Sequence, residues 1–145
     1  MIKKDLSIID KAIKKARKPK LPDVSEYCFT PVPAPRMTRA DGWRTPKRPC
    51  VQRYFDFKDK VERAAVQIPE SGAHITFIMP MPPSWKGKKR IVHDGKPHQQ
   101  KPDIDNLLKA LLDAVYLEDS HIWNLQVTKL WGDAGKIVIK DLGVI

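Results

Sequence analysis

The sequence predicts an α+β fold, in which a small mixed β-sheet carries two helices on one face, in the order β-α-β-α-β-β. Two segments predict the helices, because apolar side chains recur every three or four positions in residues 52–67 and from residue 104 to about 116. The strands are predicted from runs rich in β-branched and aromatic residues, at residues 26–32, 73–81, 122–132 and 136–142. At 145 residues, the chain is long enough for one domain with a single buried core.

Residues 1–21 are predicted to be a basic arm attached to this domain, which would occupy residues 22–145. Isoleucines and alanines share one face of residues 7–17, with lysines opposite, as in a short amphipathic helix that Pro19 and Pro22 end. The arm lacks the apolar core and the cleavage site of a secretory signal. No apolar run approaches the roughly 18 residues that a membrane span needs. We therefore expect a cytoplasmic protein with no membrane partner.

The two predicted strands at the end of the chain, residues 122–132 and 136–142, are separated by a short turn and are expected to pair as a hairpin. Two basic loops without periodicity, residues 33–49 and 84–102, connect earlier elements. Loops of this length inside a domain are usually functional or mobile.

The charge of the chain indicates a polyanionic partner. It carries 27 Lys and Arg residues against 17 Asp and Glu, a formal net charge of +10, which favours nucleic acid over membrane lipid. Trp43 and Trp85, in the basic loops, are equally compatible with stacking on bases and with anchoring their loops. His93 and His98 are expected to be mobile neighbours of phosphates. We expect the loop cations to bind DNA: Arg36, Arg39, Arg44, Lys47, Arg48, Lys86, Lys88, Lys89, Arg90 and Lys101.

Carboxylates gather at both ends of the second predicted helix. Asp103 and Asp105 stand at its start, Glu118 and Asp119 follow its end, and Lys109 shares a polar face with Asp105. Oxygen ligands without Cys or His suit Mg²⁺ or Mn²⁺. Acids within a basic surface are what metal-dependent phosphodiester cleavage requires. The alternative is that the first pair caps the helix and that Lys109 makes surface ion pairs.

Two other kinds of metal site are not expected. Cys28 and Cys50 have no His or Cys partner at zinc-finger spacing, and are interpreted as reduced thiols. A calcium-binding EF-hand loop starting at Asp103 would need Gly at its sixth position and Glu at its twelfth, where Leu108 and Ala114 stand.

The runs DIDNLLKALLDAV, residues 103–115, and LEDSHIWNLQVTK, residues 117–129, resemble motifs of the RusA family of Holliday junction resolvases. The resemblance covers roughly residues 26–142. It implies metal-binding carboxylates and a catalytic lysine, with Glu118 as a further candidate ligand; by position, the main residues are Asp103, Asp105, Asp119 and Lys109. It also implies dependence on Mg²⁺ or Mn²⁺, and a homodimer that nicks a four-way junction symmetrically.

The sequence thus favours a metal-dependent endonuclease for four-way DNA junctions. One alternative is a branched-DNA-binding protein that does not cleave, although the presence of all four matched residues argues against it. The other is a nuclease for different branched or flap DNA, which differs in substrate geometry alone.

Overall fold

The computed structural model describes residues 23–143, and confirms the predicted α+β class with a four-stranded mixed sheet and three helices. The predicted N-terminal arm, residues 1–21, lies outside the described residues. A single turn of 3₁₀ helix, Arg39–Gly42, precedes the first α-helix. The remaining elements in chain order are β1 (Val24–Tyr27), α1 (Pro49–Arg63), β2 (Ala73–Pro80), α2 (Lys88–His93), α3 (Ile104–Val115), β3 (Leu125–Gly132) and β4 (Lys136–Asp141).

The sheet has the strand order β1-β4-β2-β3, so the predicted hairpin between β3 and β4 is wrong. β3 pairs in parallel with β2, and β4 crosses the end of β2 to lie antiparallel between β2 and β1. The physical reason is burial. Ile137 and Ile139 of β4 lie in register with Phe77 and Ile75 of β2, and all four are buried. A central position buries this apolar face fully, whereas an outer position beside β3 would leave part of it in water.

Helices α1 and α3 pack against each other and against one face of the sheet, as predicted. Phe57 and Val61 of α1 and Leu107 and Leu111 of α3 join the strand residues in one buried cluster. The two helices are also linked by a hydrogen bond, because the Tyr54 hydroxyl donates to Asp113 Oδ2 over 3.0 Å. Burial, together with this carboxylate, raises the pKa of Tyr54 to about 12. Helix α1 is therefore bonded to the last turn of α3, and both helices pack on the sheet through the shared cluster.

The second basic loop is ordered along the outer edge of β3, which corrects two expectations. It contains the short helix α2, where the sequence predicted no element. Its returning chain then bonds to β3, with His98 N donating to Lys129 O over 3.0 Å and Trp131 N donating to Lys96 O over 2.9 Å. His98 is only 6% exposed and stacks on Trp131 with ring centroids 4.1 Å apart, so it is not a mobile loop residue.

Trp85 anchors the same loop. Its ring lies 4.7 Å from that of Trp131 and 4.6 Å from that of His93, between centroids. Of the two interpretations of this tryptophan, the structure favours the anchoring one. The result is that the chain before α3 lies beside the sheet.

Among residues 23–143, no helix has both the length and the apolar character to cross a bilayer.

Candidate active site

The start of α3 presents two carboxylates to solvent. Asp103 occupies the N-cap position with extended backbone, but its side chain makes no capping hydrogen bond. Asp105 lies in the first turn, where its Oδ1 accepts a hydrogen bond from Asn106 N over 2.9 Å. Both residues are exposed. The alternative that Asp103 serves as a helix cap is therefore not supported, and the carboxylate oxygens of Asp103 are free to bind a ligand. The positive end of the helix dipole favours negative charge at both positions.

These carboxylates open onto a pocket of about 680 Å³ between the start of α3, the chain that precedes it and β3. Most of the side chains around it are polar. The pocket is lined by His98, Gln99, Gln100, Lys101, Asp103, Ile104, Asp105, Val127, Thr128 and Lys129.

Lys129 connects the sheet to the chain that carries Asp103 and Asp105, which we call the acid pair. It lies in register with Phe77, so its side chain projects from the helix-bearing face of the sheet. Its Nζ donates hydrogen bonds to the backbone oxygens of Gln100 and Pro102, both over 2.6 Å. A charged donor makes a strong hydrogen bond to a carbonyl. Lys129 thereby fixes the chain directly before Asp103.

The remaining predicted site residues lie along or beyond α3. Lys109 is exposed, one turn after Asp105. Glu118 and Asp119 follow the opposite end of this helix, whose 12 residues span about 18 Å. Both are exposed, and Glu118 accepts a hydrogen bond from Ser120 Oγ over 3.1 Å. One chain thus brings Asp103 and Asp105 together and leaves Asp119 apart. Over residues 23–143, no three His, Cys, Asp or Glu side chains are grouped so that they could hold a metal ion.

The first basic loop begins beside the acid pair. Ala34 N donates a hydrogen bond to Asn106 O over 3.0 Å, so the chain crosses the first turn of α3 before it enters residues 36–48, the arginine loop. The chain segment that leads into this loop is therefore bonded to the residue that follows Asp105.

A buried aspartate holds the arginine loop in shape. Asp41 is 2% exposed and accepts hydrogen bonds from Thr38 N over 2.8 Å, from Arg48 Nε over 2.8 Å and from Arg48 Nη2 over 2.6 Å. The Arg48 guanidinium, more than any other group, holds the pKa of the Asp41 carboxyl well below its usual range. Arg48 Nη2 also donates to Arg36 O over 2.9 Å. The two ends of the loop are thereby joined.

The family model described as endodeoxyribonuclease RusA matches residues 29–140. That span is well over half of the chain, and it includes the acid pair, Lys109, Asp119 and the arginine loop. The chain belongs to the RusA family. No individual curated protein matches it significantly. Membership of RusA places the chain among the DNA endonucleases.

The cations of this RusA chain divide into two groups. Three of the ten that were expected to contact DNA are bonded internally. Lys47 donates to Asp41 O, Arg48 pairs with Asp41, and Arg90 donates to the backbone oxygens of Pro82 and Trp85. The other seven are exposed, and are Arg36, Arg39, Arg44, Lys86, Lys88, Lys89 and Lys101.

The donor set around the pocket fits a hard divalent cation. Asp103 and Asp105 offer carboxylate oxygens, and Gln99 and Gln100 add neutral oxygens in the lining. Mg²⁺ and Mn²⁺ are commonly bound by one or two carboxylates together with water and substrate phosphate. In chemical terms, the residues at the start of α3 could hold such an ion.

Sequence reasoning missed Lys129 and Asp41. The alternation of side chains along β3 could have identified Lys129. Val127, Lys129 and Trp131 point to the same face of the sheet, and a lysine between two apolar residues on that face is unusual. For Asp41 the signal was the spacing to Thr38, which is that of a capping box. Its ion pair with Arg48 depends on the folded path of the loop and had no local signal.

Proposed function

We propose that this RusA-family protein is a metal-dependent endonuclease that cuts four-way DNA junctions by paired, symmetric nicks. The observation that carries the proposal is the acid pair Asp103 and Asp105. Their carboxylates face a polar pocket at a helix start and have no neutralising partner within the described residues. The exposed Lys101 and Lys109 lie two residues before and four residues after the pair in the chain. In a chain of net charge +10, carboxylates without a neutralising partner are expected at a site where a metal ion and a DNA phosphate bind together.

In the proposed mechanism, Asp103 and Asp105 would hold the metal ion. Mg²⁺ or Mn²⁺ there would supply Lewis acidity toward a water molecule and toward the leaving oxygen. Lys109 projects from the same helix one turn later, and its ammonium offsets the charge that develops on the scissile phosphate. Lys129 keeps the chain before Asp103 in place through its two backbone hydrogen bonds. The exposed cations of the basic loops hold the flanking phosphates.

Paired nicks require two active sites, and each chain carries one acid pair, so the proposal includes a homodimer. A second copy is also an available source of a third carboxylate, because Asp119 lies beyond the far end of α3 in its own chain. Sedimentation velocity at micromolar concentration should give a species of twice the 16.6 kDa chain mass. A stable monomer under these conditions would contradict the dimer.

The decisive experiment is cleavage of an end-labelled synthetic four-way junction with Mg²⁺, beside a linear duplex and a flap substrate. We expect paired nicks in the junction alone. Asp105→Asn should lower the cleavage rate at least about 100-fold, because a lost metal ligand removes several kcal/mol of transition-state stabilisation. Its junction binding should stay equal or become tighter, since one negative charge is removed.

Asp94→Asn is the matched control. Asp94 is an exposed aspartate in the second basic loop, so its replacement changes the net charge equally without touching the acid pair. It should cleave as the wild type does. Junction binding without nicks in either Mg²⁺ or Mn²⁺ would indicate the non-catalytic alternative, and nicks in the flap instead of the junction would indicate a different substrate.

A further inference from the structure

The arginine loop presents one large aromatic side chain to solvent. Trp43 directly follows the 3₁₀ turn Arg39–Gly42, and its side chain is 77% exposed. An indole exposed to this extent forfeits most of its burial energy, so its position needs a reason outside the core. We propose that Trp43 stacks on a base exposed at the branch point of a DNA junction. This inference rests on the proposed function, and names the part of the substrate that the loop reads.

The backbone beneath Trp43 is held on both sides. Trp43 N and Arg44 N both donate to Ala40 O, over 3.2 Å and 2.7 Å. The buried Asp41, two residues earlier, is bonded to Thr38 and Arg48. The indole is therefore presented from an ordered turn, and little backbone freedom remains to be lost when it binds.

The surroundings of Trp43 select a nucleic acid as its partner. Arg36, Arg39 and Arg44, in the same loop, are exposed. Cations that follow a phosphate backbone, together with an aromatic ring on which a base can stack, are the combination by which proteins bind unpaired strands. An apolar protein partner would not favour a tryptophan set among arginines with free charge.

The geometry of the chain directs this stacking to a branched substrate. The arginine loop follows directly on the segment that is bonded to the first turn of α3, through Ala34 N and Asn106 O, nine residues before Trp43. In a continuous duplex, bases are stacked on their neighbours and offer no free face. At a branch point, stacking is interrupted and a base face becomes available at low cost.

Trp85 and Trp123 do not compete for this role. Trp85 stacks inside its own loop on Trp131, with ring centroids 4.7 Å apart. Trp123 is 66% exposed, but its Nε1 donates a hydrogen bond to Glu70 O over 3.1 Å, and no arginine lies within ten residues of it in the chain. Trp123 therefore serves as the control for the loss of an exposed indole.

The test measures binding of a four-way junction and of a linear duplex, without divalent metal, by fluorescence anisotropy. Trp43→Ala should weaken junction binding about 10- to 100-fold, the range for losing one base–aromatic stack, and should leave duplex binding unchanged. Trp43→Phe should retain most of the junction affinity. Trp123→Ala should bind both DNAs as the wild type does. Melting temperatures of the variants check that each one is folded.

A change in the DNA completes the test. A junction with abasic sites at the branch should bind the wild-type protein more weakly, and should be insensitive to Trp43→Ala, because the stacking partner is already gone. Equal junction binding by the wild type and by Trp43→Ala would overturn the stacking role while leaving the nuclease proposal intact. The stacking role would also be overturned if Trp43→Ala weakened binding of the junction and of the duplex equally, or if it converted a dimer into a monomer. A wild-type protein with no preference for the junction would overturn both proposals.

Discussion

His98 is a buried imidazole in a basic protein, and its environment favours the neutral form. Burial, with the nearby charge of Lys129 as a second cause, lowers the pKa of His98. Its Nδ1 is buried and has no hydrogen-bond partner within residues 23–143. In the unfolded chain, the same side chain takes up a proton below about pH 6.5.

The sign of the resulting pH dependence follows from proton uptake. Because the pKa of His98 is lower in the folded state, the unfolded state binds more protons as pH falls below about 6.5. The contribution of neutral His98 to folding stability is therefore present above that pH and is lost below it. We expect the thermal midpoint to fall between pH 8 and pH 5.5. His98→Phe, which retains a ring against Trp131, should flatten that fall, and His121→Gln, at an exposed position, should not. Calorimetry across this range measures the effect, and an unchanged slope in His98→Phe would contradict it.

The acid pair could be predicted from the sequence, because Asp103 and Asp105 precede a strongly periodic helix and their placement needs local information alone. The partners of Arg48 and Arg90 could not. Whether an arginine faces DNA or its own loop is decided by the folded path of the chain, and composition describes both cases equally. The separation of Asp119 from the pair likewise depends on the orientation of the whole of α3.

At the scale of elements, the turn between β3 and β4 passes against the chain that follows β1. A Cβ added at Gly135 would meet the backbone and side chain of Thr30, with Thr30 Oγ1 at 2.5 Å. Since this contact includes backbone, it cannot be relieved by rotating a side chain. The glycine is required here by close approach of two chain segments.

Gly135→Ala should therefore destabilise the fold by about 1–3 kcal/mol, the usual range for overpacking. Urea unfolding followed by circular dichroism measures the change. Gly42→Ala is the matched control, because a Cβ at Gly42 would meet nothing within 4 Å. If both variants unfolded at the same urea concentration, the close packing of the β3–β4 turn would be disproved.

The helices were more predictable than the strand pairing. The apolar stripe of α3 repeats at helical spacing, and that stripe is what packs on α1 and the sheet. Strands β3 and β4 were also located, but a short turn between two strands favours a hairpin by local geometry alone. The burial of Ile137 and Ile139 between β1 and β2 outweighed that preference, and this burial is a property of the whole sheet.

For the whole molecule, the net charge of +10 predicts a steep dependence of DNA binding on salt. The logarithm of affinity should fall with the logarithm of salt concentration by about 0.9 for each phosphate contact that a cation neutralises. Arg44→Met should reduce that slope by about 1, because Arg44 is exposed in the arginine loop. Anisotropy titrations at several salt concentrations give the slope.

Lys140→Met serves as the control for a lost positive charge. Lys140 follows Ile139, whose side chain lies in the core beneath the helices, so Lys140 projects from the opposite face of the sheet. Its replacement should leave the slope unchanged. If the two variants reduced the slope equally, DNA binding would not depend specifically on the arginine loop.

The position of β4 also determines the order in which the sheet can be completed during synthesis. Strand β4, residues 136–141, joins β1 to the rest of the sheet, and it is synthesised after β1, β2 and β3. Until these residues emerge from the ribosome, β1 and β2 have no common partner, and the face on which α1 and α3 pack is incomplete. Non-local pairing of this kind is slow, because the intervening chain must first be ordered. A nascent chain that already displays its acids and arginines therefore cannot fix their arrangement before β4 has been made.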